Sequence, residues 1–219
     1  MTTHDRDRRR EDTVTWLTAQ TPAGLAKSTH ANRSRAYEHP YGFTVVRLYD
    51  STPPGWQLRI HAWPPLAIQL ERLRDNETLT QQVHCHGWDI YSRVLLGTLE
   101  ERLFSVEEER SSSSGLYTVT SDYQAGHSRL VLASPGVAAR QTEHFLRTAT
   151  DEPYLIPTGQ YHSSINIRQD WTLSLVATEI ARNPSSLLVA PLSKKSEFLN
   201  DRKRSIDVPT LMDLLEKVL

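Results

Sequence analysis

The sequence contains one cysteine, Cys85, and its positive and negative side chains almost balance. A single thiol cannot form a disulfide within the chain, so a reducing compartment is expected. The net charge of −1 provides no excess of basic residues to neutralise the phosphates of a nucleic acid. These absences predict a protein that does not bind nucleic acid.

Long apolar runs are also absent from the sequence. No stretch approaches the roughly 20 consecutive apolar residues that a membrane-spanning helix requires. The first ten residues are mostly charged and polar, and they lack the apolar segment of a signal peptide. We therefore expect a cytoplasmic protein that does not bind a membrane. With 219 residues, of which 38% are hydrophobic, the chain can form one ordinary domain with peripheral segments.

The residue pattern divides the chain into three parts. Residues 1–42 are typical of an N-terminal arm of short helix and loop. Residues 43–182 contain many short segments rich in β-branched and aromatic residues, separated by turns. Such a series predicts an all-β fold, either a barrel or a sandwich. Residues 183–219 form a C-terminal extension that ends in a short amphipathic helix, and its apolar side would cover the barrel or form a homodimer interface.

The strongest chemical signal is the tripeptide His84-Cys85-His86. Side chains alternate between the two faces of a strand, so His84 and His86 point to one face and Cys85 points to the other. Two neutral imidazoles on one face provide half of a transition-metal site. The alternative is a polar strand face without a metal. Cys85 is interpreted as a small packed residue rather than a ligand.

A second segment downstream could bring a third imidazole to the same place. Pro157 and Gly159 predict a tight turn that is followed by His162 at the start of a strand. Two ligands from one strand and one from a distant strand would form a set of three imidazoles with open positions for chemistry. Asn166 shares the strand face of His162 and could support the site.

The two segments together resemble the paired signature motifs of the cupin superfamily of small β-barrels. The second motif, Pro-x-Gly-x-x-His-x-x-x-Asn, is present in full as Pro157, Gly159, His162 and Asn166. The first motif retains His84, His86 and Gly97. The resemblance covers about residues 43–178. It implies a jelly-roll β-barrel in which His84, His86 and His162 bind a metal ion.

The first motif departs from the family at Ile90, which occupies the position of its glutamate. Cupins with that glutamate often hold Mn, Ni, Fe or Zn through four ligands. A cupin without it is similar to the thiol dioxygenase branch, cysteine dioxygenase and its relatives, in which three histidines hold ferrous iron. The resemblance therefore implies Fe(II), with Zn, Ni and Mn as alternatives, and positions for a substrate and O2. In that branch an early arginine binds the substrate carboxylate, and Arg59 occupies a comparable place.

Several other residues are candidates for roles at this site. Asp89 lies next to the missing glutamate and is either a fourth ligand, a catalytic group or an acceptor for a ligand histidine. Tyr161 is a candidate catalytic phenol, with a structural role as the alternative. The predicted substrate-binding residues are Arg59, His61, Tyr91 and Trp88. Arg59 and His61 share one face of the predicted strand 56–63, which either lines a pocket or faces solvent.

Three functions remain open on the sequence. The first is an Fe(II)- and O2-dependent oxygenase that acts on a small amino-acid-like or thiol substrate. The second is a lyase, isomerase or rearrangement enzyme that uses zinc or another divalent ion without oxidation. The third is a module that binds a small molecule in the barrel without turnover.

Overall fold

The computed structural model describes residues 3–21, 24, 25, 27, 36–48, 56–74, 83–122, 127–179, 185–193, 197–201, 213 and 216. These residues are mostly in β-strands, which confirms the prediction of an all-β fold with peripheral helical structure. The helices are α1 (Thr3–Ala19) and α2 (Leu66–Arg74).

The strands follow one another along the chain in short segments. Their bounds are β1 (Ala36–Glu38), β2 (Thr44–Leu48), β3 (Trp56–Trp63), β4 (His84–His86), β5 (Ile90–Leu96), β6 (Thr98–Glu108), β7 (Ser114–Asp122), β8 (His127–Pro135), β9 (Val137–Thr148), β10 (Tyr154–Ile156), β11 (Tyr161–Asn166), β12 (Thr172–Glu179), β13 (Ser185–Pro191) and β14 (Glu197–Asp201).

The strands form two antiparallel sheets that enclose a cavity, as a jelly roll requires. The six-stranded sheet has the order β1-β2-β3-β12-β5-β10. The eight-stranded sheet has the order β14-β8-β7-β13-β4-β11-β6-β9. The strand β4, which carries His84 and His86, therefore lies in the middle of its sheet, where neighbours on both sides fix its position.

Alternation along β3 explains how the six-stranded sheet separates its core from the cavity. Leu58 and Ile60 are fully buried and pack in one cluster with Leu17 of α1. The intervening side chains of Arg59 and His61 point to the opposite face, and both line the cavity between the sheets. The polar face of β3 is therefore a pocket wall rather than a solvated surface.

Three of the described strands lie outside residues 43–182, and one of them, β14, pairs with β8. Strand β1 is part of the segment assigned to the arm, and it pairs with β2. Strand β13 follows residue 182, yet it inserts between β7 and β4. The arm and the extension therefore contribute strands to the two sheets. The amphipathic helix expected near the C-terminus lies outside the described residues, apart from Asp213 and Glu216.

In the part of the chain that the structure describes, no helix is both long enough and apolar enough to cross a bilayer.

Candidate metal centre

Strand register brings the three predicted ligands together. His162 of β11 lies directly opposite His84 of β4, and His86 lies two residues along β4 on the same face. One nitrogen from each of the three rings lies within 4.8 Å of the other two. This cluster confirms that the two sequence motifs meet at one point, and its donor set suits a divalent transition metal.

The backbone joins the two motifs next to the histidines. The N–H of Gly159 donates a hydrogen bond of 2.9 Å to the carbonyl oxygen of His86. Gly159 has a φ of +78°, which is favourable for glycine and allows the sharp turn before His162. The turn therefore fixes the distance between the segment that follows it and β4.

Asp89 has a structural role that differs from those predicted for it. Its Oδ1 accepts hydrogen bonds from the backbone N–H of Thr158 at 2.8 Å and from the Thr158 hydroxyl at 2.9 Å. It is not part of the cluster of potential ligands. In this structure its carboxylate stabilises the turn that leads to His162, and its roles as a fourth ligand or as a catalytic group stay predictions.

A buried carboxylate hydrogen-bonds to Nδ1 of His162. Its Nδ1 lies 2.8 Å from Oε1 of Glu101, and both side chains are almost fully buried. A carboxylate only accepts hydrogen bonds, so Nδ1 carries the proton and Nε2 is left with its lone pair. Within the described residues that Nε2 is buried and has no hydrogen-bond partner. An unpaired buried nitrogen is costly unless a ligand satisfies it.

The other two imidazoles have neighbours of different kinds. The Nδ1 of His86 lies 3.2 Å from the hydroxyl of Ser186 on β13. The ring centroid of Trp88 lies 4.9 Å from that of His86. The ring centroid of Tyr41 lies 4.5 Å from that of His84. Burial and the neighbouring histidines lower the pKa of His86 well below its usual value. The neutral imidazole that can bind a metal is thus the favoured form.

These observations fit a bound divalent metal. Three imidazoles converge, the Nε2 of His162 is buried without a partner in the described residues, and the Nδ1 of the same ring is oriented by a carboxylate. Ile90, at the position of the family glutamate, is buried and lines the cavity. It packs with Ile156 and Val176 and supplies no donor atom.

The cavity that the three histidines help to line is small, with a volume of about 70 Å³. Side chains from both sheets line it. On the six-stranded sheet, Ile90, Ile156 and Val176 form an apolar wall. Arg59 and His61 form a polar wall on the same sheet. This combination resembles a pocket for a small molecule, in which a few polar groups fix orientation.

Arg59 and His61 form the polar wall, and the charge of Arg59 acts on the imidazole of His61. The guanidinium of Arg59 donates hydrogen bonds to Oε1 of Gln57, one of them from Nε at 3.0 Å. Burial, followed by the positive charge of Arg59, lowers the pKa of His61 to about 3. His61 is therefore a neutral imidazole, and its buried Nε2 has no hydrogen-bond partner in the described part of the chain.

Trp88, predicted to bind substrate, also lines the cavity. Its indole Nε1 is buried and finds no hydrogen-bond acceptor in the described residues. It can therefore donate to a molecule in the pocket, because an indole N–H is a donor only.

Two predicted tyrosines lie away from the cavity. Tyr161 precedes His162 on β11 and points to the opposite face, where its phenol hydrogen-bonds with the thiol of Cys85. Tyr91 packs in the core cluster on the other face of the six-stranded sheet, where its ring centroid lies 5.5 Å from that of Trp56. Neither tyrosine is among the described residues that line the cavity, because neighbouring strand residues face opposite sides. The catalytic role of Tyr161 and the substrate-binding role of Tyr91 stay predictions.

Several polar residues of the cavity were not predicted from the sequence, among them Glu101 and Tyr154. Tyr154 lies opposite Ser92 in the sheet. Burial, together with the charge of Glu101, raises the pKa of its phenol far above the usual value. The alternation of β6 places Leu99, Glu101 and Leu103 on one face, but only its pairing with β11 identifies that face as the one that carries His162.

Asn166, the last residue of the second motif, stabilises the fold beside the site. Its fully buried amide nitrogen donates to the carbonyl oxygens of Pro64 at 2.9 Å and Asp170 at 2.7 Å. Its backbone N–H donates to Gln69 of α2, whose amide in turn donates to the carbonyl oxygen of Tyr41. The motif asparagine therefore helps place Tyr41 against His84, and it does not lie among the ligands.

Comparisons with known proteins find structural similarity only. No protein-family model matches the chain, and no curated protein matches it. Among solved structures, it is similar to an oxalate oxidase in complex with the substrate analogue glycolate, with 16% identity and a TM-score of 0.36. That match covers 68% of this chain and 55% of the other. Another oxalate oxidase structure matches with 14% identity and the same TM-score, over 82% of this chain and 72% of the other.

Proposed function

We propose that this chain is a metal-dependent enzyme of the cupin type that uses ferrous iron and dioxygen to oxidise a small amino-acid-like or thiol substrate. The observation that carries the proposal is the convergence of His84, His86 and His162 with the apolar Ile90 at the position of a fourth ligand. Three protein ligands leave room for a substrate and for dioxygen at adjacent positions.

Ferrous iron, when bound by the three histidines, supplies the electron transfer to dioxygen that protein side chains cannot provide. The residues of the chain bind and orient the substrate. Arg59 is the cation of the polar wall and lacks an ion-pair partner among the described residues. Its free N–H groups pair with a substrate carboxylate, for which a guanidinium is suited.

His61 and Trp88 complete the recognition of the substrate. The Nε2 of His61 and the Nε1 of Trp88 are buried cavity atoms without partners in the described chain. A substrate that hydrogen-bonds both would remove the cost of leaving them unpaired. Selectivity of this kind is stronger than that of an apolar pocket, since an analogue without the matching groups leaves buried polar atoms unsatisfied.

The apolar wall restricts water and substrate size. Ile90, Ile156 and Val176 face the cavity beside the histidines. Because they offer no hydrogen bonds, water near them is weakly held and is displaced by an apolar part of a substrate. The small volume favours substrates of a few heavy atoms.

Oxygen consumption tests this function. The metal-free protein is loaded with Fe(II) without oxygen, then mixed with cysteine as a probe that carries a thiol, an amine and a carboxylate. We expect uptake of oxygen that requires iron and is lost in His162→Ala. In Arg59→Gln the KM for cysteine should rise at least tenfold while iron content stays the same. Iron-loaded protein that takes up no oxygen with cysteine or with related small thiols would contradict the proposal.

The donor set itself favours a second candidate function. Three neutral imidazoles also suit Zn²⁺, which acts as a Lewis acid when a coordination position is open. In this case the enzyme would be a lyase, isomerase or rearrangement enzyme. Elemental analysis of protein purified without added metal distinguishes the two, because zinc at one equivalent with no oxygen uptake after iron loading would favour the second.

A further inference from the structure

We infer that Glu101 is a positioning residue of the metal centre: it orients His162 and supplies, through that ring, the negative charge that a bound glutamate would supply directly. The inference rests on the metal site of the proposed function and deepens it. It does not depend on which metal or which reaction the site supports.

The first argument is the environment of the Glu101 carboxylate. The residue is only 1% exposed, so its charge is costly unless donors surround it. Oε1 lies 2.8 Å from Nδ1 of His162, and Oε2 accepts a hydrogen bond of 2.7 Å from the hydroxyl of Ser164. Tyr154 also hydrogen-bonds to this carboxylate. Among the described residues, His162 is the only basic side chain within 4 Å of this carboxylate.

The second argument is the direction in which Glu101 acts. Because Glu101 accepts a hydrogen bond from the Nδ1–H of His162, Nε2 is left as the metal-facing nitrogen. That atom is buried without a partner in the described part of the chain. A carboxylate behind a ligand histidine fixes the ring and makes its metal-facing nitrogen a stronger donor. The charge of Glu101 is thereby transmitted to the metal without using a coordination position.

The third argument is the strand register that places Glu101. His162 lies directly opposite Leu103 of β6, and Glu101 lies opposite Ser164. Glu101 is therefore the diagonal neighbour of His162, within reach of a long side chain. By contrast, the position expected for a directly bound glutamate is Ile90, on the other sheet. The carboxylate of this site thus approaches from the sheet that carries the histidines.

The neighbouring Glu100 provides a matched control. It is also buried, at 5% exposed, but it points to the outer face of β6. There it pairs with Arg102 and lies 3.2 Å from Nε2 of His144. The two glutamates are adjacent in sequence and similar in burial, and only Glu101 contacts a ligand of the cluster.

The experiment is a titration of metal-free protein with Co²⁺ and with Zn²⁺ against a competing chelator. Glu101→Ala should weaken binding about 10- to 100-fold, the range found when such a partner is removed. Glu101→Gln retains an acceptor oxygen but removes the charge, so it should weaken binding less. It should also shift the visible absorption of the Co²⁺ form, because the donor strength of His162 changes. Glu100→Gln should match the wild type in affinity and spectrum.

Wild-type affinity and an unchanged Co²⁺ spectrum in Glu101→Gln would overturn the inference. Unfolding of each metal-free variant serves as the control for a purely structural effect, which would lower stability without moving the spectrum. If the alanine variant does not fold, the glutamine variant and Glu101→Asp carry the test. His162→Ala separates this inference from the proposed function. Full Co²⁺ binding by that variant would refute the metal centre itself, whereas normal binding by the Glu101 variants alone would refute only the role of Glu101.

Discussion

The strands β4, β6 and β11 carry similar residues on their two faces, but the contacts of these residues differ between the inner face and the outer face. On the inner face, His84 and His162 converge on one point with His86, and Glu101 hydrogen-bonds to Nδ1 of His162. On the outer face, Cys85 pairs with Tyr161 and Glu100 pairs with Arg102. Each outer residue is adjacent in sequence to an inner one. Face, more than residue type or burial, therefore separates residues of the site from residues of the surrounding structure.

The largest expected effect follows from removing an inner ligand. His162→Ala should lower affinity for Co²⁺ by at least 100-fold, because it leaves two imidazoles where the geometry requires three. Ser163→Ala, the adjacent change on the outer face, should bind Co²⁺ as the wild type does. Equilibrium dialysis with elemental analysis measures both. Equal loss of binding in the two variants would break the contrast between the faces.

A second effect concerns His61 on the inner wall of the opposite sheet. Its pKa is about 3 in the folded protein and 6.5 ordinarily. The unfolded chain therefore binds a proton that the folded chain rejects, so stability falls as the pH drops from 6.5 towards 3. At pH 5 this loss is about 2 kcal/mol, from 1.5 pH units at about 1.4 kcal/mol each.

Urea unfolding of metal-free protein at pH 7.5 and pH 5 measures this loss. The wild type should lose more stability on acidification than His61→Asn does, with a difference of about 2 kcal/mol. Metal-free conditions are required because metal binding adds a pH dependence of its own. An identical pH dependence in the two proteins would show that the imidazole is not kept neutral by its surroundings.

A smaller effect is expected at the turn that joins the motifs. Asp89→Ala removes the acceptor of two hydrogen bonds from Thr158, which should cost about 1–2 kcal/mol of stability. Because the turn leads directly to His162, the affinity for Co²⁺ should fall several-fold as well. Asp89→Asn retains an acceptor oxygen and should recover most of both losses. A variant that loses stability but keeps full affinity would separate the turn from the centre.

The smallest effect is expected on the outer face. Tyr161→Phe removes the phenol that hydrogen-bonds with the Cys85 thiol, and it should cost about 1 kcal/mol of stability. Affinity for Co²⁺ should change by less than twofold, since neither group faces the ligands. Chemical unfolding and the chelator titration measure the two quantities. A large loss of metal affinity would return Tyr161 to the site.

Much of the centre was predictable because strands impose a period of two. His84 and His86 had to share a face, and Cys85 had to oppose them. The same rule excludes Tyr161, which neighbours His162, and it excludes Tyr91, which neighbours the cavity residue Ile90. Both phenols were predicted from their proximity along the chain, whereas alternation places them on the face opposite the ligands.

The rest depends on contacts between distant segments. Glu101 can be recognised only from the pairing of β6 with β11. The contact of Tyr41 with His84 joins the N-terminal segment to β4. Strand β13 begins after residue 182, where the segment predicted to form the barrel ends, yet the hydroxyl of its Ser186 contacts Nδ1 of His86. Such pairings are set by the closure of the whole fold, and the local sequence does not encode them in a form that can be read directly.

The most direct test of the account is the position and coordination of a bound metal ion. A crystal structure of the Co²⁺ or Zn²⁺ form, with anomalous scattering recorded at the absorption edge of the metal, locates the ion and counts its ligands. The account predicts one ion bound by one nitrogen each of His84, His86 and His162, with Glu101 hydrogen-bonded to His162 and away from the metal. An ion bound at another place, or one that Asp89 or Glu101 ligates directly, would contradict it.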